Sequence, residues 1–134
     1  MLTIKGLDHI VLRTENLTQM LNFYTRVLNC PIERELPAEV GLTQLRAGNA
    51  LIDIVKVDSE LGKSGGAAPQ ESGRNLDHFC LQLTHITEKQ LIEYLVAHNV
   101  KVLDINNRYG ATGFGRSIYI NDPDNNTIEL KPIN

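Results

Sequence analysis

Two histidines and two carboxylates stand at matching places in this chain. "LDHIVL" from Leu7 recurs as "LDHFCL" from Leu76, so His9 and His78 open two similar stretches. The stretches close alike, with Asp53 in "IDI" and Glu129 in "IEL". All four lie in apolar, β-branched runs that read as strands. Aspartate is depleted in strands, and a buried carboxylate is costly unless a partner or a metal compensates it.

Strand residues of one parity share a face, so His9 goes with Leu7, Val11 and Arg13, and His78 with Cys80 and Gln82. Asp53 lines up with Leu51, Val55 and Val57, and Glu129 with Thr127 and Lys131. If the halves pair about a pseudo-two-fold axis, the four strands curve toward one cavity carrying His9, Asp53, His78 and Glu129. Two neutral imidazoles and two carboxylates suit a divalent metal such as Zn, Ni, Fe, Mn or Co, with positions open for water or substrate. A single strand histidine is more often a hydrogen-bonded core or surface residue, and either acid alone could face solvent on a half-exposed strand. The recurrence favours a site, because unrelated surface choices need not fall at matching positions. His85 and His98 lack counterparts and read as surface residues.

Alternation places strands at about 4–13, 32–35, 42–46, 50–57, 77–83, 101–104, 116–121 and 127–131. A helix over about 17–28, starting at an Asn or Thr cap, presents Met20, Leu21, Tyr24, Val27 and Leu28 on one face. A second over about 87–98, capped by Thr87, presents Leu91, Ile92, Leu95 and Val96. The order strand, helix, three strands therefore occurs twice, and units this short are expected to share one core. Between them, residues 58–75 are rich in Gly, Ser and small side chains and read as a mobile linker or a lid. A second glycine-rich stretch, "NNRYGATGFGRS", reads as a loop before the strand that holds Tyr119.

A chain of 134 residues with 42% hydrophobic and 22% charged residues is expected to be one soluble domain with its own core. The net charge of −3 and thirteen scattered Lys and Arg argue against a nucleic-acid or anionic-membrane partner. No charged leader precedes a long apolar stretch, and no apolar run approaches the roughly 18 residues of a membrane span, so a cytoplasmic location is expected. Cys30 and Cys80 are too few for a disulfide framework, and Cys80 reads as a small core residue.

The segments "LDHIVLRTENLTQMLNFYTRVLNCPI", "LDHFCLQL" and "SIYINDPDNNTIELK" resemble the vicinal oxygen chelate superfamily, also called the glyoxalase/bleomycin-resistance/dioxygenase family. The resemblance covers nearly the whole chain and rests most on "FYTRVLN" and "DPDNNTIEL". It implies an α+β fold of two tandem βαβββ modules, about 4–57 and 76–134, forming a cupped mixed sheet around a metal. It implies metal positions at His9, His78 and Glu129, with Asp53 where glyoxalase I usually has Glu. Arg13 matches a glyoxalase I position that holds a glutathione carboxylate, a task suited to a guanidinium. Val57 departs from that pattern, which typically has Asn there, and weakens the glutathione reading.

Such a metal site can chelate vicinal oxygens of a substrate and stabilise an enediolate while a carboxylate, Glu129 first and Asp53 second, moves the proton. The resemblance thus implies a glyoxalase I-like lyase or isomerase acting on a small molecule, with Arg13, Gln82 and Tyr119 as substrate contacts and a homodimer as the assembly. The main rival is an Fe²⁺ ring-cleaving dioxygenase using His9, His78 and Glu129 alone, with Tyr119 as a helper. The other rival is a non-catalytic binding protein, such as an antibiotic-sequestering one.

Overall fold

Each half of the chain folds as a strand, a helix and three further strands. In a computed structural model that describes residues 1–133, the first half comprises β1 (His9–Thr14), α1 (Leu17–Asn22), β2 (Ile32–Glu35), β3 (Leu42–Ala47) and β4 (Ala50–Lys56). The second comprises β5 (His78–Leu83), α2 (Glu88–Ala97), β6 (Ile105–Gly110), β7 (Gly113–Asn121) and β8 (Thr127–Pro132). The chain divides into two compact units, Met1–Gln70 and Glu71–Asn134, with the boundary inside the expected linker. Each unit has its own four-stranded mixed sheet, in the orders β1-β4-β3-β2 and β5-β8-β7-β6.

The last three strands of each unit form an antiparallel meander, and the opening strand pairs in parallel with the closing one. A parallel pair needs a long connection, which the helix and meander supply. Val11 lies opposite Asp53 on β1 and β4, and Cys80 lies opposite Glu129 on β5 and β8. In both units the carboxylate faces the residue two beyond the histidine, so the modules share one register.

Alternation then sorts the side chains. In the first unit Leu12, Thr14, Thr43, Leu45, Ile52 and Ile54 are buried together with Met20 and Tyr24, and α1 lies against β4. In the second, Ile118, Ile120, Ile128 and Leu130 are buried, as are Leu91 and Leu95 of α2. Arg116 ties β7 to the start of α2 through Glu88. Burial of each such aliphatic side chain contributes about 1.5–3 kcal/mol. The opposite parity, beginning with His9 and His78, forms the face away from the helix, here called the open face; His9, Val11 and Cys80 on it are exposed, whereas Asp53, Val55, Glu129 and Lys131 are buried.

Six local expectations are corrected. The first helix is not continuous over 17–28: α1 ends at Asn22 and Phe23–Val27 forms a π-helical turn. There Thr25 Oγ1 donates to the Leu21 carbonyl at 2.7 Å, a back-bond that bends helices. Asn16 gives no side-chain cap; its N–H instead donates to Thr14 Oγ1 at 2.8 Å. The strand expected at 101–104 lies later, over Ile105–Gly110, and the stretch read as a loop is the β6–β7 hairpin. Polar residues and glycines on this edge strand hide its alternation, and 103–104 only continue the pairing, through Leu103 N to Tyr119 O and Tyr119 N to Asp104 O.

The linker is ordered over its first part. Ser59 is buried; its hydroxyl donates to Lys56 O at 2.6 Å and accepts from Gly62 N at 3.1 Å. Glu60 N and Leu61 N donate to Glu39 O and Val40 O. Gly62 begins a short 3₁₀ turn, Gly62–Gly65, and a β-carbon on it would lie 1.9 Å from Lys56 O. Finally, Cys80 is exposed on the open face rather than packed in the core.

Thr87 forms the expected cap as a full capping box with Gln90, accepting from Gln90 N while Gln90 Oε1 accepts from Thr87 N. Thr87→Ala is expected to lower stability by about 1 kcal/mol, and Leu95→Ala, at a fully buried position, by about 2–5 kcal/mol. Urea unfolding midpoints measure both, and equal losses would contradict this account of the second unit.

Candidate functional site

In the second unit His78 and Glu129 meet on the open face, His78 Nε2 standing 3.3 Å from Glu129 Oε1. The other ring nitrogen, Nδ1, donates to Asp77 at 2.7 Å, because a carboxylate can only accept. With that proton on Nδ1, the Nε2 lone pair of the neutral ring faces a carboxylate oxygen. A proton or a metal ion fits between these two atoms. Glu129 is nearly buried, its side chain 8% exposed, so its carboxylate depends on such a partner.

The first unit repeats the orientation of the histidine. His9 Nδ1 donates to Asp8 at 2.5 Å, leaving Nε2 for a ligand. The Asp8 hydrogen bond, with a smaller contribution from the Asp53 charge, holds the imidazole above the usual histidine range. Protons therefore compete for this ring up to a higher pH than at an ordinary histidine. Asp53 is 3% exposed, and Gln44 Nε2 donates to both its oxygens at 3.3 and 3.2 Å. Gln44 lies directly across from Asp53 on β3.

The second unit thus brings one imidazole and one carboxylate of the four expected ligands into contact, whereas in the first Asp53 acts on His9 through its charge and has Gln44 as its hydrogen-bond partner. Among the described residues, no group of three or more His, Cys, Asp or Glu forms a metal cluster. The donor chemistry still fits a divalent metal: histidines oriented through Nδ1 by a carboxylate, and a buried acid facing a free imidazole nitrogen.

The expected substrate contacts fare differently. Tyr119 lies opposite Glu129 on β7, its ring centroid 5.2 Å from that of His78. Gln82 shares this open face and donates to Thr112 Oγ1 at 3.1 Å. Arg13 turns instead to the linker, donating to Gly62 O, Gly66 O and Ala67 O at 2.6–3.1 Å. A β-carbon at Gly65 would lie 2.2 Å from Arg13 Nε, so a glycine there admits the guanidinium.

Sequence reasoning did not single out Gln44, Arg108, Lys131 or the two aspartates before the histidines. Arg108 stacks 3.9 Å above the Tyr119 ring, donates to Ser117 and pairs with Asp104. Lys131, 2% exposed, donates to Arg108 O at 2.9 Å and Gly113 O at 2.7 Å. Only the repeated Asp-His dipeptide was visible beforehand, in "LDHIVL" and "LDHFCL".

Cys80 borders Glu129, and partial burial of its sulfur, followed by that carboxylate, pushes its thiol up to about 11. Because the raised value favours the protonated form, alkylation of Cys80 in metal-free protein is expected to be slow at neutral pH and to accelerate toward pH 10. Glu129→Gln is expected to speed it at intermediate pH; equal rates in mass-spectrometric labelling would contradict the influence of Glu129. Arg13→Met is expected to expose the 62–67 segment to protease cleavage several-fold faster than in the parent chain, with unchanged rates showing that the clasp does not hold it.

The family model of the Glyoxalase/Bleomycin resistance protein/Dioxygenase superfamily matches residues 6–130. The Glyoxalase domain-containing protein RDO1 of Mycosarcoma maydis is 28% identical over 130 residues, covering 96% of this chain and 69% of that protein. Among solved structures, the fosfomycin resistance protein FosX of Listeria monocytogenes superposes with a TM-score of 0.71 at 24% identity, over 98% of this chain and 96% of that one. A lactoylglutathione lyase of Agrobacterium tumefaciens superposes with a TM-score of 0.68 at 18% identity, over 96% and 94%. At such identities the two structures speak for the fold alone. Matching nearly its whole length, the family model places this chain in the Glyoxalase/Bleomycin resistance protein/Dioxygenase superfamily.

Proposed function

We propose that the protein is a metal-dependent enzyme that moves a proton next to a carbonyl of a small oxygenated substrate, as a glyoxalase I-like lyase or isomerase. The observation that carries the proposal is the repeated half-site: in each unit a histidine held through Nδ1 by the preceding aspartate, with a buried carboxylate on the adjacent parallel strand. His9, His78 and Glu129 hold one divalent metal in this reading, with Asp53 as a further carboxylate. The fold likeness to a lactoylglutathione lyase is compatible with it.

When bound, the metal supplies Lewis acidity toward two neighbouring substrate oxygens. The chain does the rest. Asp8 and Asp77 fix the tautomers of the two histidines so that Nε2 is the donor. A carboxylate takes the proton from the carbon beside the carbonyl and returns it to the neighbouring atom. Tyr119, steadied under Arg108, and Gln82 orient the substrate on the open face of the second sheet.

A second reading has one observation in its favour: Gln44 engages both oxygens of Asp53, leaving two histidines and Glu129 as the donors an Fe²⁺ dioxygenase uses.

Elemental analysis of protein purified without chelator is expected to give about one metal per chain, lost in His9→Ala, His78→Ala and Glu129→Gln. The loaded enzyme is expected to exchange a substrate proton with solvent deuterium when offered hemithioacetals or α-hydroxycarbonyl compounds. Bound iron with oxygen uptake on catechols would move the assignment to the dioxygenase, and absence of metal from the parent chain would reject both.

A further inference from the structure

The β6–β7 hairpin leaves the second sheet before its strands end. β7 begins at Gly113 but pairs with β8 only from Ile118 to Asn121. One step further the register would set Ser117 against Lys131 and Arg116 against Pro132, and proline has no N–H to continue the ladder. Residues 105–117 therefore project as a two-stranded arm whose last pair is Gly110 and Gly113. On its outer side Tyr109 and Phe114 meet edge to face across the two strands, ring centroids 5.1 Å apart, and both are exposed. This pair stiffens the arm. At the root, Arg116 pairs with Glu88 of α2 and fixes the end about which the arm can turn.

The inner side is fastened by side chains instead of a ladder. Lys131 Nζ donates to Arg108 O on one strand of the arm and to Gly113 O on the other, at 2.9 and 2.7 Å. Two glycines make the room: a β-carbon on Gly110 would stand 3.0 Å from Lys131 Nζ, and one on Gly115 3.1 Å from its Cε. The ammonium is thereby enclosed, an unusual state for a lysine held by backbone carbonyls. At the tip, Gln82 Nε2 donates to Thr112 Oγ1 at 3.1 Å, and Gln82 lies opposite Lys131 on β5. The arm thus bends back across β8 as far as β5.

We propose that this hairpin is a hinged strap over the open face of the second sheet, with Lys131 as the pin that holds it closed and Gln82–Thr112 as the latch at its tip. Closed, it fixes two groups at once: Gln82 through Thr112, and Tyr119 through Arg108, whose carbonyl Lys131 holds and whose guanidinium lies over the ring. Opening releases both and bares the ammonium. That Gln82 and Tyr119 grip a substrate rests on the function proposed above; the strap does not, because neither metal nor substrate enters its test.

A strap opens without unfolding the unit, so access to Lys131 tests it. Partial acetylation of the full chain with N-hydroxysuccinimidyl acetate at one pH, read by peptide mass spectrometry, compares Lys131 with the exposed Lys101 of the same molecule. In the parent, Lys131 is expected to react about tenfold or more slowly than Lys101. Its rate is expected to stay nearly constant in urea below the unfolding transition, because opening the strap exposes little surface. Gln82→Met removes the latch, and Gly110→Ala sets a methyl group against the pin at a position whose backbone accepts it. Each is expected to speed Lys131 labelling about threefold or more while Lys101 keeps its rate.

Labelling of Lys131 that rises in urea with the slope of global unfolding would show that only unfolding exposes it, and would overturn the strap. Parent labelling as fast as at Lys101 would overturn it too, as would unchanged Lys131 labelling in either folded variant. Should Gly110→Ala fail to fold, Gln82→Met decides by itself. None of these outcomes depends on bound metal, so the strap and the proposed enzyme fail separately.

Discussion

The parallel pairing of opening and closing strands is the constraint on which each open face depends. A β-sheet repeats every two residues, so a one-residue slip between β1 and β4 would turn Asp53 onto the face that Ile52 and Ile54 pack against the helix. There a carboxylate would lack Gln44 and stand among aliphatic side chains. The burial of Ile52, Ile54, Ile128 and Leu130 therefore holds the carboxylates in place as firmly as any polar contact does. The stability of the core and the arrangement of the site are one register seen from two sides of the sheet.

The second determinant is where the cations go. Arg13 and Lys131 lie on the strands that carry the candidate ligands, yet neither forms an ion pair with Asp53 or Glu129. Each spends its donors on carbonyls of a glycine-rich segment, Arg13 on 62–67 and Lys131 on the β6–β7 hairpin. Backbone carbonyls satisfy a buried ammonium or guanidinium without cancelling a nearby carboxylate. The contacts of the two acids are therefore an amide at Asp53 and an imidazole at Glu129. Gly65 matters here because a β-carbon would collide with Arg13, and Gly110 because one would crowd Lys131 Nζ at 3.0 Å.

Much of this was legible in the letters. The repeat of His9 at His78 and of Asp53 at Glu129 foretold the module order, while the apolar, β-branched run in "ALIDIVK" and the apolar face of Phe79, Leu81 and Leu83 in "HFCLQL" marked their strands. Legibility failed where a neighbour in space overrides local pattern. β6 carries Asn106, Asn107, Arg108 and Gly110, and becomes a strand because β7 pairs with it. Cys80 sits in an apolar run, yet its parity puts it on the open face beside Glu129. The linker's small residues look mobile, but Gly62 and Ser59 are small because the turn packs against Lys56.

By itself the sequence determined the βαβββ order, the family, and the residue types capable of holding a metal, because periodicity and recurrence are properties of the chain alone. Tertiary structure decided what each of those residues touches. Gln44 reaches Asp53 across a strand pair, and Arg34 reaches Gln44 across another, contacts between residues nine and ten apart that no local spacing announces. Arg13, which matches an anion-binding position by sequence, is taken up by loop carbonyls about fifty residues away, because the fold brings them within hydrogen-bonding distance of its guanidinium. A side chain's chemistry is written in its identity; its partners are set by the packing of the sheet around it.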